Sequence, residues 1–348
     1  MTEVSGSRDD LRIGVVGYGG AGRGIHARLV REAGLTVSDV VVRDPGRRAA
    51  AAEDWPGAAL HATLEQMLDA GAPDVVVVAS PTGLHEEHAA TLVAAGVPVV
   101  LDKPIARTAR AAEHVVTAAR DAGVPLTVFQ NRRWDPEQLT LRSVLPRLGR
   151  VHRFERRWER WRPVPQQRWK ENDVEGGGLL LDLGAHLVDS AVQLFGPVTS
   201  VYAEIRNLTT PTEDDVFLSL QHAAHAGTRE DGVVSHLWAG SLVGAPGPRT
   251  RVLGEDAAFL VTSYEADASP FERLDAEEGE AHLGWLATGR DLTPVPRAPG
   301  GHADFYRAVV AWLRDGGPVP VDPWDAVRTA RVLDAARASA RTGSRVAP

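Results

Sequence analysis

The stretch Ile13-Gly14-Val15-Val16-Gly17-Tyr18-Gly19-Gly20-Ala21-Gly22 decides the fold. A short apolar run enters a turn with glycine at its first, third and sixth positions, and a helical segment, 22–32, opens directly behind it. Gly17 permits the tight turn, and Gly19 lets backbone approach a pyrophosphate. Gly22 lets helix and strand pack closely, with the helix N-terminus facing the phosphates. Strand, glycine turn and helix at the front of the chain point to dinucleotide binding, with Gly17, Tyr18, Gly19, Gly20, Ala21 and Gly22 as candidate contacts. A glycine-rich turn without a ligand is the alternative.

Outward from this turn, β-branched runs at 12–16, 37–42, 75–79, 97–101 and 126–129 alternate with helical stretches at 22–32, 46–54, 63–70, 87–95 and 109–122. Strands that are apolar throughout and separated by helices imply a parallel sheet covered on both faces. That doubly wound pattern binds ligands at the carboxyl ends of its strands. The second strand ends in Val42-Arg43-Asp44-Pro45-Gly46-Arg47-Arg48. An acidic residue there bonds a ribose hydroxyl and selects NAD, whereas arginine accommodates the NADP phosphate. Arg43, followed by Arg47 and Arg48, favours NADP. Asp44 leaves NAD open, since a one-residue shift in the strand end would exchange the roles. Further on, Ala79-Ser80-Pro81-Thr82-Gly83-Leu84-His85 supplies Ser80 and Pro81 as cofactor contacts at a strand end. His85 either faces the nicotinamide or merely starts a helix.

After Phe129 the pattern changes. Four of nine tryptophans (Trp134, Trp158, Trp161, Trp169) fall between 132 and 169, in an arginine-dense stretch. Alternating runs at 151–162, 199–206, 216–222, 233–242 and 250–253 read as strands exposed on one face, and hence as a large, mostly antiparallel sheet. The expected organisation is α/β throughout: a nucleotide-binding domain over 1–128, then a substrate and oligomerisation domain over 129–348. The Asp-, Glu-, Pro- and Gly-rich stretch 265–301 reads as a long loop or lid. Two helices, 302–315 and 323–342, close the chain.

Of 38 basic residues only two are lysine, Lys103 and Lys170. Lys103 lies in Leu101-Asp102-Lys103-Pro104, at the end of an apolar run. Lysine can release its proton when its surroundings lower its pKa, and arginine effectively cannot. A lysine kept against an arginine bias marks a group that shares a proton with a reacting atom. The second half answers with Gly176-Gly177-Gly178-Leu179-Leu180-Leu181-Asp182-Leu183-Gly184-Ala185-His186-Leu187-Val188-Asp189. The 4- and 3-residue spacings place Asp182, His186 and Asp189 on one face of a mostly buried helix. Such a face is costly unless its groups are bonded or line a cleft. Histidine suits proton transfer near neutral pH, and the triple glycine would let backbone approach a ligand. Two other readings of Asp182 and His186 stand: a metal pair, for which no further ligand set is evident, and a satisfied structural pair.

Hydrophobic content of 43% and charged content of 24% are ordinary for a globular protein. The formal charge of −8 disfavours nucleic acid or an anionic membrane as partner. With no cysteine, thiolate metal sites, disulfides and cysteine nucleophiles are excluded. No export signal or membrane-length apolar run is visible, so a cytoplasmic enzyme or binding protein is expected.

Taken together, the glycine turn Gly17–Gly22, the Ser80-Pro81…His85 turn, the lysine-proline pair and the Asp182…His186 helix resemble the Gfo/Idh/MocA family (glucose–fructose oxidoreductase, inositol dehydrogenase, rhizopine catabolism) over nearly the whole chain. The family usually carries Glu-Lys-Pro where this chain has Asp102-Lys103-Pro104. With Asn131-Arg132-Arg133-Trp134-Asp135 and Trp158–Pro163, the resemblance leans to the branch of NADP-dependent scyllo-inositol dehydrogenases. It implies a Rossmann domain followed by an open-sheet α/β domain through which members form dimers or tetramers. It implies Lys103, Asp182 and His186 as a catalytic trio. His186 would take a hydroxyl proton as hydride leaves the same carbon, Lys103 would polarise the oxygen, and Asp182 would orient histidine or substrate. It further implies Asp102, Lys103 and Asn131 near the cofactor. Asn131, Arg133, Trp134, Trp158, Trp161, Arg168 and Trp169 would contact a sugar or polyol, with sheet packing the alternative for the tryptophans and no metal required. Two alternatives share the fold: a glycoside-processing enzyme with permanently bound NAD, and a non-catalytic NADP-binding regulator.

Overall fold

A computed structural model describes residues 11–262 and 281–348 of the chain. It divides into two compact units: one runs to Asn131 and adds His302–Val327, and the other takes Arg132–Gly301 and Arg328–Pro348. Where a contiguous second domain over 129–348 was expected, residues 302–327 cluster with the first unit.

In the first unit six strands form a sheet: β1 Ile13–Val16, β2 Val37–Val41, β3 Ala59–His61, β4 Val75–Val78, β5 Val99–Asp102 and β6 Leu126–Phe129. Their order is β3-β2-β1-β4-β5-β6, and every pairing is parallel. The four consecutive valines of β4 are fully buried, as a strand covered on both faces requires. The edge strand β3 was not legible, because Ala-Leu-His is three residues long and carries no alternation.

A π-helical segment, Gly22–Ala27, runs into α1, Arg28–Glu32. Then come α2 Pro45–Asp54, α3 Leu64–Asp69, α4 His85–Ala94 and α5 Ala109–Asp121. Asp44, Thr63 and Thr108 cap α2, α3 and α5 by accepting from the amides of Arg47, Gln66 and Ala111. The late stretch completes this core. Phe305 and Tyr306 lie with ring centroids 4.9 and 5.9 Å from Phe129. Thr127 Oγ1 donates to the Val321 carbonyl at 2.9 Å.

The second unit is an eight-stranded sheet of β7 Val151–Glu159, β8 Val198–Arg206, β9 Asp215–His222, β10 Val234–Gly240, β11 Thr250–Gly254, β12 Ala258–Val261, β13 His282–Thr288 and β14 Asp291–Pro296. The order is β14-β13-β12-β11-β7-β10-β9-β8. β7 and β10 pair parallel and their neighbours pair antiparallel. The helices are α6 Pro136–Val144, α7 Trp169–Asn172 and α8 Ala185–Phe195, the last entered through a π-helical turn, Leu180–Gly184. Phe154, Trp158, Leu180, Val188, Phe195 and Leu237 belong to its core. The loop expected over 265–301 is corrected in its later part, since β13 and β14 form a hairpin there. The remainder, 265–280, lies outside the described residues. Asp304–Asp315 (α9) and Pro323–Thr342 (α10) are the two closing helices. Among the described residues no helix is long and apolar enough to cross a membrane.

Candidate active site

In the first unit the glycine turn has the geometry its sequence demands. Gly17 has φ of +90°, and a Cβ there would lie 2.9 Å from the Ala79 carbonyl oxygen. A Cβ on Gly22 would meet the Gly17 oxygen at 1.8 Å, so strand and helix approach too closely for any side chain. At Gly20, by contrast, a Cβ would meet nothing within 4 Å, and at Gly19 only the Arg47 guanidinium at 3.6 Å. The middle of the turn is open backbone with an arginine beside it.

Next to it lies a cavity of about 330 Å³, within the range of small-ligand sites. Gly17, Tyr18, Arg43, Asp44, Arg47, Ser80 and Pro81 line it. Tyr18 gives its hydroxyl to Asp54 at 2.9 Å. Burial and that carboxylate push the phenol up to about 12. Arg43 Nε donates to the Ala62 carbonyl at 3.2 Å. Asp44 accepts from the Arg47 amide at 2.8 Å, so one oxygen of the one acidic group at this strand end caps a helix. Arg48 is not on the cavity lining: its guanidinium donates to the Leu60 carbonyl at 3.0 Å. The arginine that joins Arg43 is Arg47, which sequence reasoning noted but did not select.

His85 starts a helix, the second of the two expectations for it. It begins α4, is 1% exposed, and sets its ring nitrogens 2.9 and 3.0 Å from the carbonyl oxygens of Ser80 and Pro104. Burial lowers its pKa against the opposing pull of Asp102 and the carbonyls. It pins the two loops together. Asp102 is likewise turned inward, accepting from the Lys103 amide at 2.8 Å and facing His26 Nε2 at 3.4 Å. Burial works to raise this carboxyl, but the His26 charge and hydrogen bond carry it below the usual range. Lys103 follows at the end of β5, and Asn131 is buried just after β6.

In the second unit Asp182 falls in the π-helical turn and His186 in the first turn of α8. The imidazole lies 5.9 Å, centroid to centroid, from the Trp158 indole. Arg132 and Arg249 each place a guanidinium 4.5 Å from that indole's centroid. Trp158 is buried, so it backs the histidine rather than presenting a face to solvent. Asp189 is buried and takes both prongs of Arg133, at 3.0 and 2.6 Å. The Arg133 fork thus grips a carboxylate beneath the surface. Arg168 is held by Glu171 at 2.6 Å. Trp161 and Trp169 are exposed, at 60% and 52%, and Trp134 is half-buried.

The triple glycine also departs from expectation. A Cβ on Gly177 would lie 2.3 Å from the Lys170 carbonyl oxygen, and one on Gly178 2.2 Å from the Glu213 carboxylate. These glycines admit neighbouring protein, not a ligand. What sequence reasoning missed is the partner they bring in: Lys170 forms an ion pair with Asp182. The rarity of lysine was the one available signal.

A parallel sheet with an open glycine turn and an arginine-lined cavity, followed by an open α/β sheet, defines a two-unit dinucleotide-binding oxidoreductase. The model "Oxidoreductase family, NAD-binding Rossmann fold" matches residues 11–130, and "Oxidoreductase family, C-terminal alpha/beta domain" matches 146–347. The chain belongs to the Gfo/Idh/MocA oxidoreductase family. It is 28% identical to the scyllo-inositol 2-dehydrogenase (NADP+) IolW of Bacillus subtilis, over 98% of this chain and 97% of that one. It is 30% identical to inositol 2-dehydrogenase 2 of Saccharopolyspora erythraea, covering 96% and 94%. Among solved structures, the oxidoreductase yvaA of Bacillus subtilis superposes with a TM-score of 0.83 at 28% identity, covering 98% and 99%.

Proposed function

We propose that this protein is an NADP-preferring dehydrogenase that exchanges hydride with a secondary alcohol or ketone of a cyclic polyol or sugar. The observation that carries the cofactor choice is the pair Arg43 and Arg47 on one cavity, with Asp44 engaged as a helix cap. The open backbone at Gly19 and Gly20 fits a pyrophosphate, because a Cβ on Gly20 would meet nothing within 4 Å and one on Gly19 only the Arg47 guanidinium. When bound, the dinucleotide supplies or accepts the hydride. The chain's own residues handle the proton: His186 removes it from the hydroxyl in the oxidative direction, Lys103 polarises that oxygen, and Asp182 orients the imidazole. The relatives named for inositol oxidation support the polyol class.

The test is a spectrophotometric screen of both cofactors against inositols, aldoses and glycosides, repeated with Lys103→Arg. Turnover with NADP and a polyol is expected, and Lys103→Arg should lower kcat by about 10²-fold, the scale for losing a positioned acid or base. A near-wild-type rate removes the lysine from the mechanism. Stoichiometric NAD retained through purification, with no turnover of added NADP, would move the protein to transient oxidation of glycosides.

A further inference from the structure

The two lysines stand one in each unit, and the second has no role in the reading above. Lys170 lies in α7 and pairs with Asp182, one turn ahead of His186. Both partners are mostly shielded, with side chains 27% and 20% exposed. Its backbone is fastened as firmly as its side chain. The Lys170 carbonyl accepts from the Gly178 amide at 2.8 Å and from Thr212 Oγ1 at 3.1 Å. Gly177 leaves no room for a Cβ against that same carbonyl. The glycine-rich bend thus folds a lysine back onto the helix that carries the candidate base. The adjoining cavity, about 20 Å³, has room for roughly one water and none for a sugar ring. Lys170 therefore faces Asp182 and not a ligand pocket of its own.

A proton-accepting imidazole must be neutral at working pH, yet a carboxylate one helical turn away favours its protonated form. A cation seated on that carboxylate removes the conflict. We propose that Lys170 is a positioning residue whose ammonium fixes the Asp182 carboxylate and cancels its charge beside His186. This rests on His186 being the base. Other charged groups stand on the elements near the histidine. From β7, Arg156 pairs with Glu137 at 3.0 Å, and the Trp158 indole carries Arg132, Arg249 and Arg160. On α8, Asp189 holds Arg133. On the turn ahead of α8, Asp182 holds Lys170.

The experiment is the titration of His186 by NMR in the substrate-free protein, assigned by difference from His186→Gln. In Lys170→Met the imidazole's protonation equilibrium should shift about 3- to 10-fold toward the charged form. Asp182→Asn, which removes the carboxylate, should shift it the opposite way, and Lys170→Arg should titrate like the wild type. Because no turnover is needed, the result stands whether or not a polyol is a substrate. In the active enzyme the acid limb of the kcat profile should move with the titration, while NADPH affinity, read by fluorescence, stays put. An unmoved His186 titration in a folded Lys170→Met, or a shift of the same sign in Asp182→Asn, overturns the proposal. Should Lys170→Met fail to fold, Lys170→Gln takes its place, with the same expected shift and the same overturning result.

Discussion

Replacing Arg47 by alanine separates the two cofactors. The guanidinium lies beside the open backbone of Gly19 and on the same cavity as Arg43, whereas Arg48 is turned to the Leu60 carbonyl. A hydrogen bond from a charged donor to a phosphate contributes roughly 1.5–3 kcal/mol, and each 1.4 kcal/mol is a factor of about ten. Arg47→Ala should therefore weaken NADPH by roughly 10- to 150-fold and NADH by little. Arg43→Ala should act in the same direction, and Arg48→Ala should change neither cofactor more than about 2-fold. Fluorescence titration of reduced cofactor into each variant reads this directly. The difference between the cofactors should shrink as salt rises, because an open ion pair is screened. Equal losses for NADPH and NADH, or an Arg48→Ala variant as damaged as Arg47→Ala, would refute the assignment.

Gly22→Ala drives a methyl into the Gly17 carbonyl, which a Cβ would approach to 1.8 Å. Overpacking of this kind costs about 1–3 kcal/mol or more, so a thermal melt should show a lower Tm and the fluorescence titration a lost NADPH signal. Glu137 is held below the usual carboxylate range, against burial, by Arg156 and Arg249. Glu137→Gln removes the carboxylate that faces two buried cations and should cost about 3–5 kcal/mol in urea unfolding. In the wild type its contribution is complete above the ordinary glutamate pKa and is lost as pH falls through the lower folded value. His222 is 1% exposed, bonded to the Gly196 carbonyl and Ser235 Oγ, and burial lowers its pKa to about 4. The unfolded chain takes up that proton near pH 6.5, so stability should fall as pH drops from 6.5 toward 4, by on the order of 3 kcal/mol. His222→Gln should flatten that limb of the stability–pH curve, and an unchanged slope would show that the histidine is not held neutral.

The parallel sheet was legible because buried strands such as Val75–Val78 are apolar without interruption, and the glycine turn because Gly17 and Gly22 each meet a distinct steric demand. Both helices bearing Asp182 and His186 were readable from their leucines. The hairpin β13–β14 was not, since Asp291-Leu292-Thr293-Pro294-Val295-Pro296 carries two prolines and is mostly exposed. Nor could local pattern tell which polar groups look inward. Arg133 and His85 are polar residues at motif positions, and only their distant partners, Asp189 and the Pro104 carbonyl, reveal that they brace the protein. The Lys170–Asp182 pair was hidden for the same reason. Twelve residues and a glycine bend separate the partners, and no helical or strand period spans that interval.

The aromatic wall behind His26 and Phe129 has a temporal consequence. Tyr306 and Phe305 are encoded some 175 positions after Phe129, yet their rings close the space under the β6 strand. A ribosome that has released only the first six strands has made a sheet with one side of its filling still unwritten. The nucleotide pocket should therefore mature late in synthesis, and nascent chains halted before the Asp304–Asp315 segment emerges should be cleaved readily by protease near Phe129.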